Sequence, residues 1–347
     1  MRKTLQDVAN YLNEIMVPET IEKYEINSIY TNVLIEDDIY QGVGAFRDFL
    51  SNLYEVLSIH GLAYDNCKKI AHEYENRTTL SVYYPFLDYV SNLLINIGYQ
   101  GVFSDDKQCF ICKNTIFNHK ISIQKTRECL AFLILCGIEF EGLDLNKKLD
   151  LSTIDSIKIS YTKNPNMLLG LKIMAIAERD HRTLVNQDVF LRCDYRVLKS
   201  DGADVFSILQ DTIKPLDRDV QNFVVQLHNR YISKGLSCIV ETKGYHIYIK
   251  YGYKRKDVWG INASLNNGYH INVKSTKTNE YEEVIKTFSP FLQELIEKGY
   301  GCGRKREIGH CDGGCRGITI PLNQSVLDIQ DEIIQWFDLE IAFLSRK

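Results

Sequence analysis

The sequence predicts an α+β fold in two domains: a mostly helical α+β domain, then an antiparallel meander of four to five strands covered by helices. Three observations predict this fold. The chain has 347 residues, enough for roughly two domains of ~150 residues each. Apolar residues recur at helical spacing through most of the first 200 residues. After them come four short runs of strand character, separated by turn signals.

The N-terminal domain, residues 1–200, is predicted to consist mainly of amphipathic helices. Leu5, Val8 and Leu12 lie on one stripe of the first helix. Pro85 marks the start of a later helix and Gly98 its end, because proline suits the first turn and glycine suits helix termination. The predicted helices are LQDVANYLNEIMV, FRDFLSNLYEVLSIHGL, YPFLDYVSNLLINIGY, TRECLAFLILC and NPNMLLGLKIMAIAERD. The strands expected between them are GVFS, QCFICK and DSIKISY.

Residues 201–217 are predicted to form a linker between the two domains. This stretch is polar, and it carries Gly202 and Pro215, residues that interrupt regular structure. The second domain is therefore expected to span residues 218–347.

The C-terminal domain has the clearest pattern in the chain. A helix, VQNFVVQLHNRYISKG, precedes the runs LSCIVE, YHIYIKY, VWGINASL and YHINVKS. Asn267 and Gly268 form a tight-turn signal, because both residues accept positive φ. The helix YEEVIKTFSPFLQELIEKG, a cysteine-rich loop, the strand RGITIPL and a final helix follow. This order predicts an antiparallel meander with helices on one face.

The segments IYIKYGYKRKDVWGINASLNNGYHINV and RGITIPL, each followed by a helix, carry a resemblance to known domains. They resemble small bacterial α/β domains described as iron-chaperone-like or frataxin-like. The resemblance is topological and covers about the last third of the chain. It implies a fold and no catalytic motif, and it does not account for residues 301–318.

Composition and charge narrow the class of protein. The net charge of −4 predicts no general attraction to nucleic acid or to anionic membranes, although local patches could differ. No apolar run approaches ~18 residues, so no membrane association is expected. The start, MRKTLQDVANYLNEIM, does not have the pattern of a secretory signal. Ten cysteines then indicate a reducing, cytoplasmic location, with Cys129, Cys136 and Cys238 as small buried hydrophobic residues.

The segment GCGRKREIGHCDGGCRGI, residues 301–318, has the ligand types of a structural zinc site and also the composition of a glycine-rich loop with reduced thiols. Zinc prefers four thiolate or imidazole ligands, and the glycines would let the backbone bend around an ion. Additional ligands could come from Cys109 and Cys112, which have C-x2-C spacing, although on a flat strand they would point to opposite faces. The alternative is a glycine-rich loop with reduced thiols. The four ligands predicted within the loop are Cys302, His310, Cys311 and Cys315.

The same segment also has the composition of an anion-binding turn. Gly313 and Gly314 could present backbone N–H groups, and Arg316 could supply positive charge. On this reading the protein would be an enzyme acting on a small phosphorylated or anionic substrate. The alternative is a solvated basic loop.

The meander carries basic residues interleaved with tyrosine and histidine. Such a face can contact phosphates and stack on bases, and it can also be the hydrated side of a half-covered sheet. The candidate nucleic-acid contacts are Lys250, Lys254, Arg255, Lys256 and Lys274.

The sequence contains no recognisable Ser-His-Asp or Cys-His catalytic signature. The leading functional prediction is therefore a non-enzymatic binding or regulatory protein, with zinc as a fold-stabilising ion. Its partner would be a protein or a small-molecule ligand. Nucleic-acid binding through the meander and catalysis through the 301–318 loop are the two alternatives.

Overall fold

The computed structural model describes most of the chain. It covers residues 3–64, 68–74, 77–117, 121–147, 149–181, 189–202, 204–243, 246–265, 268–299 and 316–346. The fold is α+β, as the sequence predicts. The chain divides into two compact units, one of residues 1–72 with 79–204 and one of residues 73–78 with 205–347. Within the described ranges, no helix has the length and apolarity needed to cross a membrane.

The first unit contains seven of the described helices, a four-stranded sheet and most of a two-stranded hairpin, of which residues 73–78 belong to the second unit. Its helices are α1 (Leu5–Tyr11, continued by a π-turn over Leu12–Met16), α2 (Ser28–Thr31), α3 (Glu36–His60), α4 (Pro85–Gln100), α5 (Ile123–Leu135), α6 (Asn166–His181) and α7 (Val189–Arg192). Its strands are β1 (Lys68–Tyr74), β2 (Arg77–Tyr83), β3 (Val102–Phe103), β4 (Cys109–Cys112), β5 (Glu139–Glu141) and β6 (Ile157–Ser160). Strands β1 and β2 form a hairpin, and the others form an antiparallel sheet in the order β3-β4-β6-β5.

Close contact between glycines sets the packing of α3 on α6. A Cβ added at Gly42 would lie 2.5 Å from the backbone nitrogen of Gly170, and one added at Gly170 would collide with the carbonyl of Gly42. Such a contact lets two helix backbones approach more closely than larger side chains would allow. The apolar stripe of α3 then buries Phe46 and Phe49 completely.

The second unit is built on a five-stranded antiparallel meander. Its helices are α8 (Val205–Ile213), α9 (Arg218–Ser233), α10 (Glu282–Ile285), α11 (Pro290–Glu297) and α12 (Gln330–Ser345). Its strands are β7 (Ser237–Lys243), β8 (His246–Tyr253), β9 (Lys256–Ser264), β10 (Gly268–Ser275) and β11 (Arg316–Pro321). The strand order β11-β10-β9-β8-β7 confirms the predicted meander.

An aromatic cluster fills the space between this sheet and its helices. The Trp259 ring stacks on Tyr251, with 3.8 Å between centroids, and on Phe337 of α12 at 5.3 Å. Tyr231 of α9 meets Trp259 edge-on. Because side chains alternate along a strand, Trp259 and Ile261 face this core while Lys250 and Asn272 face away from it.

Three details differ from the sequence predictions. Residues 201–217, predicted as a linker, contain α8, whose buried Ile208, Leu209 and Ile213 follow helical spacing although polar residues, Gly202 and Pro215 surround them. The single helix predicted over YEEVIKTFSPFLQELIEKG is two helices, because the residue before Pro290 is held out of the helical region and Ser289 caps a new start. Strands β1, β2 and β5 were not predicted.

We expect Gly42→Ala to destabilise the protein by about 2 kcal/mol, because the new methyl group would overpack a backbone contact. Gly44→Ala is the matched control in the same helix, since a Cβ there meets nothing within 4 Å. That change should stabilise the helix by up to about 1 kcal/mol through helix propensity. Urea unfolding of both variants measures the difference, and a Gly42→Ala protein as stable as the control would contradict the close contact.

Candidate anion-binding surface

The register of the meander gathers basic residues at one end of the sheet. Tyr253 pairs with Lys256 beside the two-residue turn that joins β8 to β9. In the neighbouring strands, Lys274 pairs with Gly317, and Ser275 pairs with Arg316 at the start of β11. We define the basic end as residues 253–257, 274–277 and 316–317.

The turn at the basic end has an unusual backbone. Lys254 has φ of 48° and Arg255 has φ of 66°, so both central residues lie in the left-handed region. Two-residue hairpin turns of this kind strongly favour Asn-Gly, because the left-handed region costs other residues ~1–2 kcal/mol each. Elsewhere in the described chain, non-glycine residues with positive φ are the isolated Lys107 and Cys193. The backbone of this turn is therefore strained at the two positions that carry Lys254 and Arg255.

Three of the five predicted cations have partners within the second unit. Lys250 forms an ion pair with Glu241 at 2.5 Å, and the ion pair of Lys274 with Asp257 spans 2.8 Å. The Lys254 ammonium lies over the Tyr253 ring, 5.4 Å from its centroid, and donates a hydrogen bond to the carbonyl of Ser345 at 3.4 Å. A cation at the C-terminal end of α12 also interacts favourably with the helix dipole.

Arg255 and Lys256 are the two predicted cations that remain available. Both are exposed, and neither has an ion-pair or hydrogen-bond partner among the residues that the structure describes. Lys274 is also 47% exposed despite its pairing with Asp257. The basic end thus presents exposed positive charge that the surrounding acids do not fully neutralise.

The aromatic residues of the outer face are arranged for packing within the sheet. The Tyr248 ring covers Gly260 across the strand pair, since a Cβ at that glycine would lie 2.5 Å from Cε2 of the tyrosine. Lys250 lies 5.2 Å from the centroid of the same ring. With its ring occupied in this way, Tyr248 is poorly placed to stack on bases, so the surface favours contacts to phosphates.

A buried carboxylate fixes the strand end that carries Lys274. Glu340 of α12 is 1% exposed and accepts hydrogen bonds from the hydroxyls of Ser275 at 2.7 Å and Tyr281 at 2.5 Å. It also accepts from the backbone N–H of Thr276 at 2.6 Å and of Lys277 at 3.2 Å. Because the donors come from the last residue of β10 and from the segment that follows it, this network holds the basic end against α12.

Cys109 and Cys112 do not form the predicted knuckle. Both lie on β4, where residues three apart face opposite sides of the sheet. Cys112 faces the same side as Phe110, and burial raises the pKa of its thiol to about 12. Among the described residues, no group of three or more His, Cys, Asp or Glu side chains is placed to hold a metal.

Most of the 301–318 segment lies outside the described residues. This applies to Cys302, His310, Cys311, Cys315, Gly313 and Gly314, and to the side chain of Arg316. The backbone of Arg316 is described, and its pairing with Ser275 shows that the segment enters the sheet at the basic end. The zinc and anion-binding roles of its residues stay predictions.

The other cysteines singled out in the sequence are poor nucleophiles. Burial raises the pKa of Cys129 and of Cys136 to about 12. Burial also raises the pKa of Cys238 to about 11, against a smaller lowering by the Tyr251 hydroxyl. Cys129 and Cys136 are buried, as predicted, whereas Cys238 is partly exposed. Thiol chemistry at these three positions is therefore disfavoured at neutral pH.

Comparison with known proteins adds no assignment: no family model, curated protein or solved structure matches the chain. The geometry of the second unit is thus the basis for a functional hypothesis.

We expect Arg255→Gly to stabilise the second unit by about 1 kcal/mol, because glycine adopts positive φ without strain. Lys256→Gly is the matched control: it removes the same charge one residue along, inside β9, and should destabilise through lost strand propensity. Thermal unfolding followed by circular dichroism measures both changes. A loss of stability in Arg255→Gly would contradict the strained turn.

Proposed function

We propose that the protein is a non-enzymatic binding protein that contacts nucleic-acid phosphates through the basic end of its C-terminal sheet. The observation that carries the proposal is the placement of Lys254 and Arg255 at the two left-handed positions of a tight turn. Strained residues cluster at functional sites, where the surrounding structure holds them in place. A turn with a structural role alone would be served better by Asn-Gly.

The charge arrangement supports phosphate contact over base readout. Arg255 and Lys256 are exposed at the turn, and Lys274 lies on the neighbouring strand. A small number of such contacts gives weak, sequence-independent binding that falls steeply with salt. The overall charge of −4 is consistent with a local site and argues against binding by the whole surface.

The other functional predictions keep their original basis. Structural zinc and catalysis on an anionic substrate both depend on residues 301–318, and a cytoplasmic location depends on cysteine usage. Elemental analysis of protein purified without chelator, beside the double variant Cys311→Ser, Cys315→Ser, would test zinc independently of nucleic-acid binding.

We expect the double variant Arg255→Glu, Lys256→Glu to bind nucleic acid at least tenfold more weakly than the parent at 50 mM salt. The plot of log K against log salt should also become shallower by about 2, because two phosphate contacts are lost. Fluorescence anisotropy with a labelled 20-nucleotide strand, and with its duplex, measures both quantities between 50 and 200 mM salt.

The matched control is Lys214→Glu, Arg218→Glu, which changes the net charge by the same amount. Arg218 is the first residue of α9 and Lys214 precedes it by four residues, whereas the other end of that 16-residue helix leads into β7 at the basic end. At 1.5 Å per residue, the two ends lie ~24 Å apart. Equal weakening by both double variants, or no salt-dependent binding by the parent chain, would overturn the proposal.

A further inference from the structure

We infer that Arg346, the residue that follows α12, is an additional phosphate-contacting residue of the basic end. This inference rests on the proposed function and extends it to a residue of α12's end, which no sequence pattern connects with the turn between β8 and β9.

The end of α12 contacts the turn between β8 and β9. Ser345 is the last residue of α12; its hydroxyl donates a hydrogen bond to the Ile341 carbonyl at 2.7 Å and can accept one from the Tyr253 hydroxyl at 3.1 Å. Its carbonyl accepts a hydrogen bond from the Lys254 ammonium at 3.4 Å. Tyr253 and Lys254, at the start of the turn, therefore both contact the last residue of α12. Arg346 is the next residue along the chain.

An aromatic ring of α12 positions the Arg346 side chain. Its guanidinium lies over the Phe343 ring, 3.9 Å from the ring centroid. Phe343 is itself placed by Tyr281, with 5.5 Å between the ring centroids, and Tyr281 donates a hydrogen bond to the buried Glu340. A position over a ring face orients a guanidinium while leaving the N–H groups at its edge free to bind.

Among the described residues, no acid forms an ion pair that would neutralise the charge of Arg346. Arg346 is exposed and forms no ion pair with any residue in the described part of the chain. Arg230 of the same unit gives the contrast, since Asp338 holds it at 2.6 Å. Arg346 thus has the same character as Arg255 and Lys256: an exposed cation at the basic end without an acidic partner.

Together these residues define a ligand class. Cations contributed by a tight turn and by the end of a helix can contact separate phosphates of one backbone, and an arginine can hold a phosphate through two parallel hydrogen bonds. A polymeric phosphodiester fits this arrangement better than a single small phosphate. The surface would then select strand length over base sequence.

Arg346→Gln should weaken binding of the labelled 20-nucleotide strand by about 3- to 10-fold at 50 mM salt and make the salt plot shallower by about 1. Arg346→Lys keeps the charge but loses the planar fork, so it should bind with intermediate affinity and an unchanged slope. Phe343→Leu removes the stacking platform and should weaken binding with the slope preserved.

The matched control is Arg218→Gln, an exposed arginine at the start of α9, and it should bind like the parent. Arg346→Gln should unfold at the parent's temperature, because the side chain covers no buried core. If Arg255→Glu, Lys256→Glu loses binding while Arg346→Gln binds like the parent, the inference is wrong and the proposed function stands. If the parent shows no salt-dependent binding, both are wrong.

Discussion

The register of the C-terminal sheet is the constraint on which the second unit depends. Side chains alternate along each strand, so a slip of one residue would turn Trp259 out of the core and Lys250 into it. The stacked rings of Tyr251, Trp259 and Phe337 oppose such a slip, because they meet in one pairing of β8 with β9 and against one face of α12. The registers of β9 with β10 and of β10 with β11 then bring Lys256, Lys274 and the start of β11 together. Packing of the core thus determines where the exposed charge lies.

Local preference and overall fold disagree at the turn between β8 and β9. Glycine takes the positive φ at most other described positions that need one, as Gly235 and Gly268 do on either side of this hairpin. The pairing of β8 with β7 and of β9 with β10 holds the turn that carries Lys254 and Arg255. The end of α12 also contacts this turn. Where sequence preference fails in an otherwise consistent fold, a functional reason is the usual expectation. Glu340 adds to the rigidity of this region by accepting hydrogen bonds from the buried Ser275 and Tyr281 and from the backbone of Thr276.

The sequence was sufficient for the fold class and for the meander, because alternation and turn signals are local. It was insufficient for β5, which is three residues long, and for α8, whose apolar residues lie in a polar stretch. The five candidate cations could be named from composition, but their division into paired and available residues could not. That division depends on which residue of the neighbouring strand or helix lies beside each lysine, as Glu241 does for Lys250 and Asp257 for Lys274. Arg346 was missed for a related reason, since the contact of its neighbour Ser345 with the basic end joins segments about 90 residues apart.

Hydrogen–deuterium exchange with and without a 20-nucleotide strand is the most direct test that the basic end is the binding surface. Binding there should slow amide exchange in residues 253–257, 274–277 and 343–346, and the protection should disappear as salt is raised. The start of α9, far along the same unit, should exchange at an unchanged rate. Protection confined to the start of α9, or exchange unaffected by the oligonucleotide at low salt, would contradict a phosphate-binding surface at this end of the sheet.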